Sequence, residues 1–332
     1  MESEPLNRPL ANRSAFLYSE RSMNKTARSI HAALHHGAIV AGALLLASQA
    51  AAQPLSHSTN NPIPGARSHL AAFNNTNKIH YLTVGRGAKV LVFIHGWSGN
   101  SGFWREQVPA LASKARLILI DLPGHGQSDK PQADYTMDFF ARGVLAVMRK
   151  AQVNKATLIG HSMGVPVICR FHALSPRRVG AIVAVDGLLR RPQLKPEDVE
   201  KFLGPYRAPD FSGHVTNFIQ SMFPEPTTHP LRDRVLAEVM ATPPYVMSSA
   251  MHGMFATNQP AWDMQDVKVP VLVLNAPNPR WNAEYEAYVR ALSPQTDYRV
   301  LDGTGHCLML EKPAEFNAVL VDMLQKFDLI KK

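Results

Sequence analysis

From residue 78 onward the chain alternates short apolar runs with longer stretches of helical spacing. Residues 78–84, 89–94 and 116–120 (RLILI) read as strands, as do 156–159, 181–185, 271–274 and 298–301. Across residues 135–150 the large apolar side chains recur at helical intervals, with Phe139, Phe140, Val144, Leu145 and Val147 on one broad face. Residues 164–174 and 313–327 read as helices too, the second carrying Pro313 and Glu315 in its first turn. Apolar strands separated by helices predict an α/β architecture with a mostly parallel sheet covered on both faces. Residues 187–262 break the rhythm. They offer helical segments near 196–203, 213–223, 230–241 and 245–256 and no convincing strand, so they read as a helical insertion between two strands.

The first 74 residues fall outside the pattern. Lys25 and Arg28 precede an uncharged apolar run at 38–47, and small residues follow at Ala50 and Ala52. That is the layout of a secretory signal peptide cleaved before Gln53, which predicts export to the periplasm or beyond. The run is shorter than the ~20 residues of a membrane span, so no stable membrane anchor is expected. Residues 1–52 are then an upstream extension plus signal peptide, and 53–74, rich in Pro, Ser and Asn at the start, a flexible lead-in. The core would comprise 75–186 and 263–332, and the cap 187–262.

Composition alters this picture little. The 332 residues are 45% hydrophobic and 18% charged, which suits a globular chain. The formal net charge is +9, yet no long Lys/Arg block or basic stripe interleaved with aromatics appears, so nucleic acid is not an expected partner. Cys169 and Cys307 have no metal-ligand spacing and read as two free thiols.

Chemistry enters at residues 158–164, LIGHSMG. Gly160, Ser162 and Gly164 form G-x-S-x-G directly after a strand and before a helix. A nucleophile on so sharp a turn has strained backbone angles and needs small neighbours, and the turn lifts its hydroxyl clear of the sheet. A serine also needs a base. His306, in LDGTGHCLMLEKP, follows the last strand through a loop containing Gly303 and Gly305 and can reach across the sheet. In FIHGW, residues 93–97, the N–H of Trp97 lies where an oxyanion donor is needed, alongside that of Met163.

Together these segments resemble the α/β-hydrolase family, in its serine esterase-like branch with a helical cap. The resemblance covers residues 75–328 and rests on FIHGW, DLPGHGQSD at 121–129, GHSMG, and GTGHCLMLEKP. It implies a mostly parallel eight-stranded sheet with helices on both faces and a cap inserted after the sixth strand. By the same resemblance Asp121 and His125 organise a loop, and no metal or organic cofactor is implied.

The acid is out of place. In most members of that family it follows the seventh strand, but here VLVLNAPNPRW, residues 271–281, offers only Asn275 and Asn278. Neither can carry the charge that balances an imidazolium. Asp186, closing the strand in VAVDGLL, is the first alternative; Glu284 is the second; a dyad without an acid is the third.

Serine as nucleophile separates the chain from the branches of this fold that attack with aspartate, and leaves acyl transfer to water. The expected substrate is a small-to-medium carboxylic ester with an apolar acyl or aryl part. Lactone hydrolysis, C–C cleavage and cofactor-free perhydrolysis use the same groups and stay open, as does a non-catalytic small-molecule binder. Met222, Met240, Met247, Met251 and Met254, with Phe218, Phe223, Phe255 and Trp262, suggest an adaptable apolar pocket in the cap, or simply cap packing. No oligomeric state follows from the sequence.

Overall fold

The computed structural model describes residues 63–224, 229–256 and 258–332. The expected signal peptide and the cleavage point before Gln53 lie outside the described residues. Within them the chain runs β1 (Arg67–Phe73), β2 (Asn77–Val84), β3 (Val90–Ile94), α1 (Val108–Leu111), β4 (Arg116–Ile120), α2 (Met137–Lys150), β5 (Ala156–His161), α3 (Gly164–Leu174) and β6 (Val179–Val185). Four helices follow, α4 (Pro196–Leu203), α5 (Phe211–Gln220), α6 (His229–Met240) and α7 (Pro244–Phe255). The chain closes with β7 (Val271–Asn275), α8 (Ala283–Leu292), β8 (Thr296–Val300), α9 (Leu308–Glu311) and α10 (Pro313–Lys326).

One eight-stranded sheet orders the strands β1-β2-β4-β3-β5-β6-β7-β8. β1 and β2 are antiparallel to each other, and β2 to β4; every other pair is parallel. β5 and β7 are buried at every position, which requires cover on both faces and explains why they read as continuous apolar runs. α2 starts at Thr136, whose side chain accepts the Phe139 N–H, and lays its Phe139–Phe140–Val144–Val147 face inward. The helices α4 to α7 form the cap between β6 and β7. No helix of the described residues is long and apolar enough to cross a membrane.

The structure corrects the sequence reading in two places. Residues 67–73, expected in the flexible lead-in, form β1 and pair antiparallel with β2. Ala71 and Phe73 point inward in strict alternation, and Asn74 takes φ +54° to close the hairpin, a conformation Asn tolerates. The Pro- and Ser-rich stretch just before it masks so short an alternation. The second addition is α8, capped by Asn282, whose side chain accepts the Tyr285 N–H at 2.9 Å.

Candidate active site

The strand order reverses direction between β3 and β5, and in open α/β sheets ligands bind beyond the carboxyl ends of strands at such a point. β5 delivers Ser162 there. Its φ is +52°, a left-handed conformation that costs a non-glycine residue about 1–3 kcal/mol. The turn is held by the Ser162 N–H donating to the Val185 carbonyl and the Val165 N–H donating to the Ser162 carbonyl, both at 3.0 Å. A Cβ at Gly160 would lie 2.6 Å from the Gly164 carbonyl oxygen, so the motif spacing reflects backbone contact across the turn.

β3 brings the second loop. A Cβ on Gly96 would come 3.1 Å from Cβ of Ser162, so glycine is needed for the two loops to approach. The Gly96 carbonyl accepts hydrogen bonds from His95 Nδ1–H at 2.7 Å and from the Gly99 N–H at 3.1 Å. That carbonyl and the Trp97 N–H belong to one planar trans peptide, so fixing the oxygen aims the N–H the opposite way. His95 is itself set by the Leu122 N–H, which donates to its Nε2 at 3.0 Å. Neither the Trp97 nor the Met163 backbone N–H donates to another described residue outside regular helix and strand bonding.

The residues expected as base and acid meet. His306 Nδ1 lies 2.6 Å from Asp186 Oδ2. The carboxylate can only accept, so Nδ1 carries a proton, and in the neutral ring that leaves Nε2 as the acceptor. Asp186 is 6% exposed and sits at the end of β6. Its other oxygen accepts the Ala276 N–H at 3.0 Å and the Trp281 indole N–H at 3.1 Å. Burial pushes its proton affinity up, but the His306 hydrogen bond and charge and the Ala276 N–H outweigh burial and hold the carboxyl below its ordinary range. The loop after β7 therefore supplies donors to the Asp186 carboxylate. Sequence reasoning missed Trp281, whose indole N–H is a side-chain donor to that carboxylate.

The other carboxylate candidate lies elsewhere. Glu284 is exposed on α8 and pairs with Arg190 at 2.8 Å. Asn278 is exposed and accepts the Arg280 N–H within its own loop; Asn275 is buried and donates to the Tyr298 hydroxyl at 3.3 Å. Asp121 accepts N–H bonds from Ser101 at 2.6 Å and Gln127 at 2.9 Å and contacts His80 Nδ1 at 2.8 Å, tying two loops together. His125 Nδ1–H donates to the Pro123 carbonyl at 2.9 Å. Both cysteines are free and buried, and Cys307 lines the pocket next described.

His161 is packed against His306, ring centroids 4.6 Å apart. Its Nε2–H donates to the His306 carbonyl at 2.8 Å. Burial, with the neighbouring His306 charge, pushes its proton affinity down to about 3, so it stays neutral beside the base.

Ser162 and His306 open onto one pocket with Gly96, Trp97, Phe103 and His161. Ile219, Met222, Val235 and Val239 of the cap complete it. The pocket holds about 20 Å³, room for little more than one water. Of the five cap methionines singled out in the sequence, Met222 lines this pocket. Met247, Met251 and Met254 are buried in packing and Met240 is 37% exposed. The cap is fastened to the loop after β3. Trp97 Nε1–H donates to the Met247 carbonyl at 2.9 Å, Thr242 Oγ1–H to the Ser98 carbonyl at 3.3 Å, and Asn100 and Arg105 to Glu238 at 3.1 and 3.2 Å.

Known proteins share this fold. The family model described as alpha/beta hydrolase fold matches residues 89–313. A dihydrolipoyllysine-residue acetyltransferase component of an acetoin cleaving system from Pseudomonas putida is 36% identical over 138 residues, 36% of this chain and 37% of that protein. The chain thus spans little more than a third of that relative's length. A 2-hydroxy-6-oxononadienedioate/2-hydroxy-6-oxononatrienedioate hydrolase, also from Pseudomonas putida, is 25% identical over 75% of this chain and 92% of its own. Among solved structures, a thermophilic esterase from Thermogutta terrifontis superposes with a TM-score of 0.69 at 22% identity, covering 79% of this chain and 99% of its own.

Proposed function

The chain belongs to the alpha/beta hydrolase fold family, and on that footing we propose that it is a serine hydrolase cleaving small-to-medium uncharged carboxylic esters through an acyl-enzyme. The observation that carries the reading is the 2.6 Å contact between His306 Nδ1 and Asp186 Oδ2, with Ser162 and His306 on one pocket. In this mechanism His306 Nε2 takes the Ser162 proton as Oγ attacks the ester carbonyl. The N–H groups of Trp97 and Met163 stabilise the oxyanion. Imidazolium, balanced by Asp186, returns the proton to the departing alkoxide; His306 then draws a proton from water, whose hydroxide releases the acid and regenerates Ser162.

Pocket chemistry favours an uncharged ester over the substrate class of the Pseudomonas putida hydrolase. A dioate carries two carboxylates, and no Lys or Arg is among the described residues lining this pocket. An aliphatic rim of Ile219, Val235 and Val239 suits an apolar acyl or aryl group instead. The proposal includes export after cleavage near Gln53, which N-terminal sequencing of the processed protein tests; a mature chain starting at Met1 would overturn that part.

The deciding experiment is labelling with a fluorophosphonate probe together with turnover of p-nitrophenyl esters. Labelling of the wild type that disappears in Ser162→Ala, with ester turnover, supports the enzyme. No labelling across pH 6–9 would favour a non-catalytic binder.

A further inference from the structure

His306 belongs to a loop with no regular structure of its own, yet each backbone N–H from Gly305 to Cys307 is bonded to a group outside those three residues. The Gly305 N–H donates to Glu311 Oε2 at 2.8 Å and the Cys307 N–H to Glu311 Oε1 at 3.0 Å. Between them the His306 N–H donates to the Met222 carbonyl at 2.9 Å. One carboxylate therefore straddles the base, an oxygen on the residue before it and an oxygen on the residue after.

Few side chains can do this. A carboxylate presents two oxygens that only accept. The amide of the same length presents one oxygen and one NH2, and would set a donor against one of the two N–H groups. A partly buried charge is also costly, since burial raises the proton affinity of Glu311 while the two N–H bonds lower it. The imidazole has a demanding target in return. Its Nδ1 must stay on Asp186 while Nε2 meets the serine hydroxyl, and an error near 1 Å in such a group can cost about 10²-fold in rate.

We propose that Glu311 is a positioning residue for His306, its two oxygens fixing the backbone on both sides of the base so that the ring stays between Asp186 and Ser162. The inference rests on His306 acting as the base of the proposed hydrolase. It deepens that reading by giving the base a second carboxylate partner, one that acts through the backbone rather than the ring.

Two substitutions separate acceptor chemistry from mere space-filling. Glu311→Gln keeps the length and loses one acceptor; Glu311→Asp keeps both acceptors on a shorter arm. Full-length variants are compared with wild type for kcat and KM on p-nitrophenyl butyrate, fluorophosphonate labelling rate and thermal midpoint. The expected result for Glu311→Gln is a fall in kcat of roughly 10- to 100-fold with KM within about twofold, and slower Ser162 labelling. Glu311→Asp should retain more kcat than Glu311→Gln. A folded Glu311→Gln with kcat near wild type, or one more active than Glu311→Asp, overturns the inference whatever its thermal midpoint. Should Glu311→Gln fail to fold, Glu311→Ala carries the test, since it removes both acceptors without setting a donor against either N–H, and wild-type kcat there overturns the inference. A wild type that the probe does not label overturns the hydrolase reading and this inference together, whereas a labelled wild type with an indifferent Glu311 overturns only this one.

Discussion

Asp186 reaches His306 from the end of β6, 2.6 Å from Oδ2 to Nδ1, while the loop after β7 turns its N–H groups toward the same carboxylate. Removing that charge while keeping the shape is the direct probe. Asp186→Asn should lower kcat on p-nitrophenyl butyrate by on the order of 10³–10⁴-fold, because an amide can hold the ring in the wrong tautomer. Glu284→Gln and Asn278→Ala, both at exposed positions, should stay within about threefold of wild type. Asp186→Asn as the mildest of the three would remove Asp186 from the mechanism.

Trp281 leaves Asp186 Oδ2 to the base by occupying Oδ1. Trp281→Phe keeps a ring beside Tyr285, whose centroid is 5.1 Å from that of Trp281, and deletes only the indole N–H. A loss of one hydrogen bond to a charged group should lower kcat by roughly 3- to 10-fold with little change in KM. Steady-state kinetics on one short ester decide it; unchanged kcat would make the indole a packing group.

The cap valines limit what fits. Val235→Ala and Val239→Ala enlarge a cavity of about 20 Å³ beside Ser162. The ratio of kcat/KM for hexanoate over acetate p-nitrophenyl esters should rise about tenfold, since each methylene accommodated is worth about 1–3 kcal/mol. An unaltered chain-length profile would show that the substrate's apolar part lies elsewhere.

His125 predicts how the fold responds to acid. Burial, with His95 nearby, lowers its proton affinity from an ordinary 6.5 to about 3. Between those values the unfolded chain binds a proton that the native state refuses, so stability rises with pH and falls on acidification. At pH 5 this one group should cost on the order of 2 kcal/mol relative to pH 7. Urea unfolding of His125→Gln at the two pH values should show a drop smaller by about that amount than wild type. An equal drop in both proteins would mean that His125 is not held neutral.

What the sequence disclosed and what it hid follow from the range of the interactions. The elbow around Ser162 was legible because a strained strand-to-helix turn constrains its own neighbours, down to the 2.6 Å approach at Gly160. Asp186 was reached only by noticing that the usual loop was empty. Trp281 was invisible because its partner lies 95 positions away and an indole announces packing before it announces a donor. β1 was lost because only Ala71 and Phe73 mark its inward face. The cap methionines could be read as pocket or as packing because periodicity identifies a helix without telling which buried face borders the cavity. Val235 and Val239, one turn apart on α6, took that place.

The bonds from the cap to Trp97, Ser98, Asn100, Arg105 and His306 bear on how such proteins can be recombined. Swapping the insert between homologues to borrow a new specificity would also cut the guy-lines of the turnover machinery. A chimera that imports α5 to α7 would therefore have to bring matching anchor points on the recipient side, or lose rate along with its old preference.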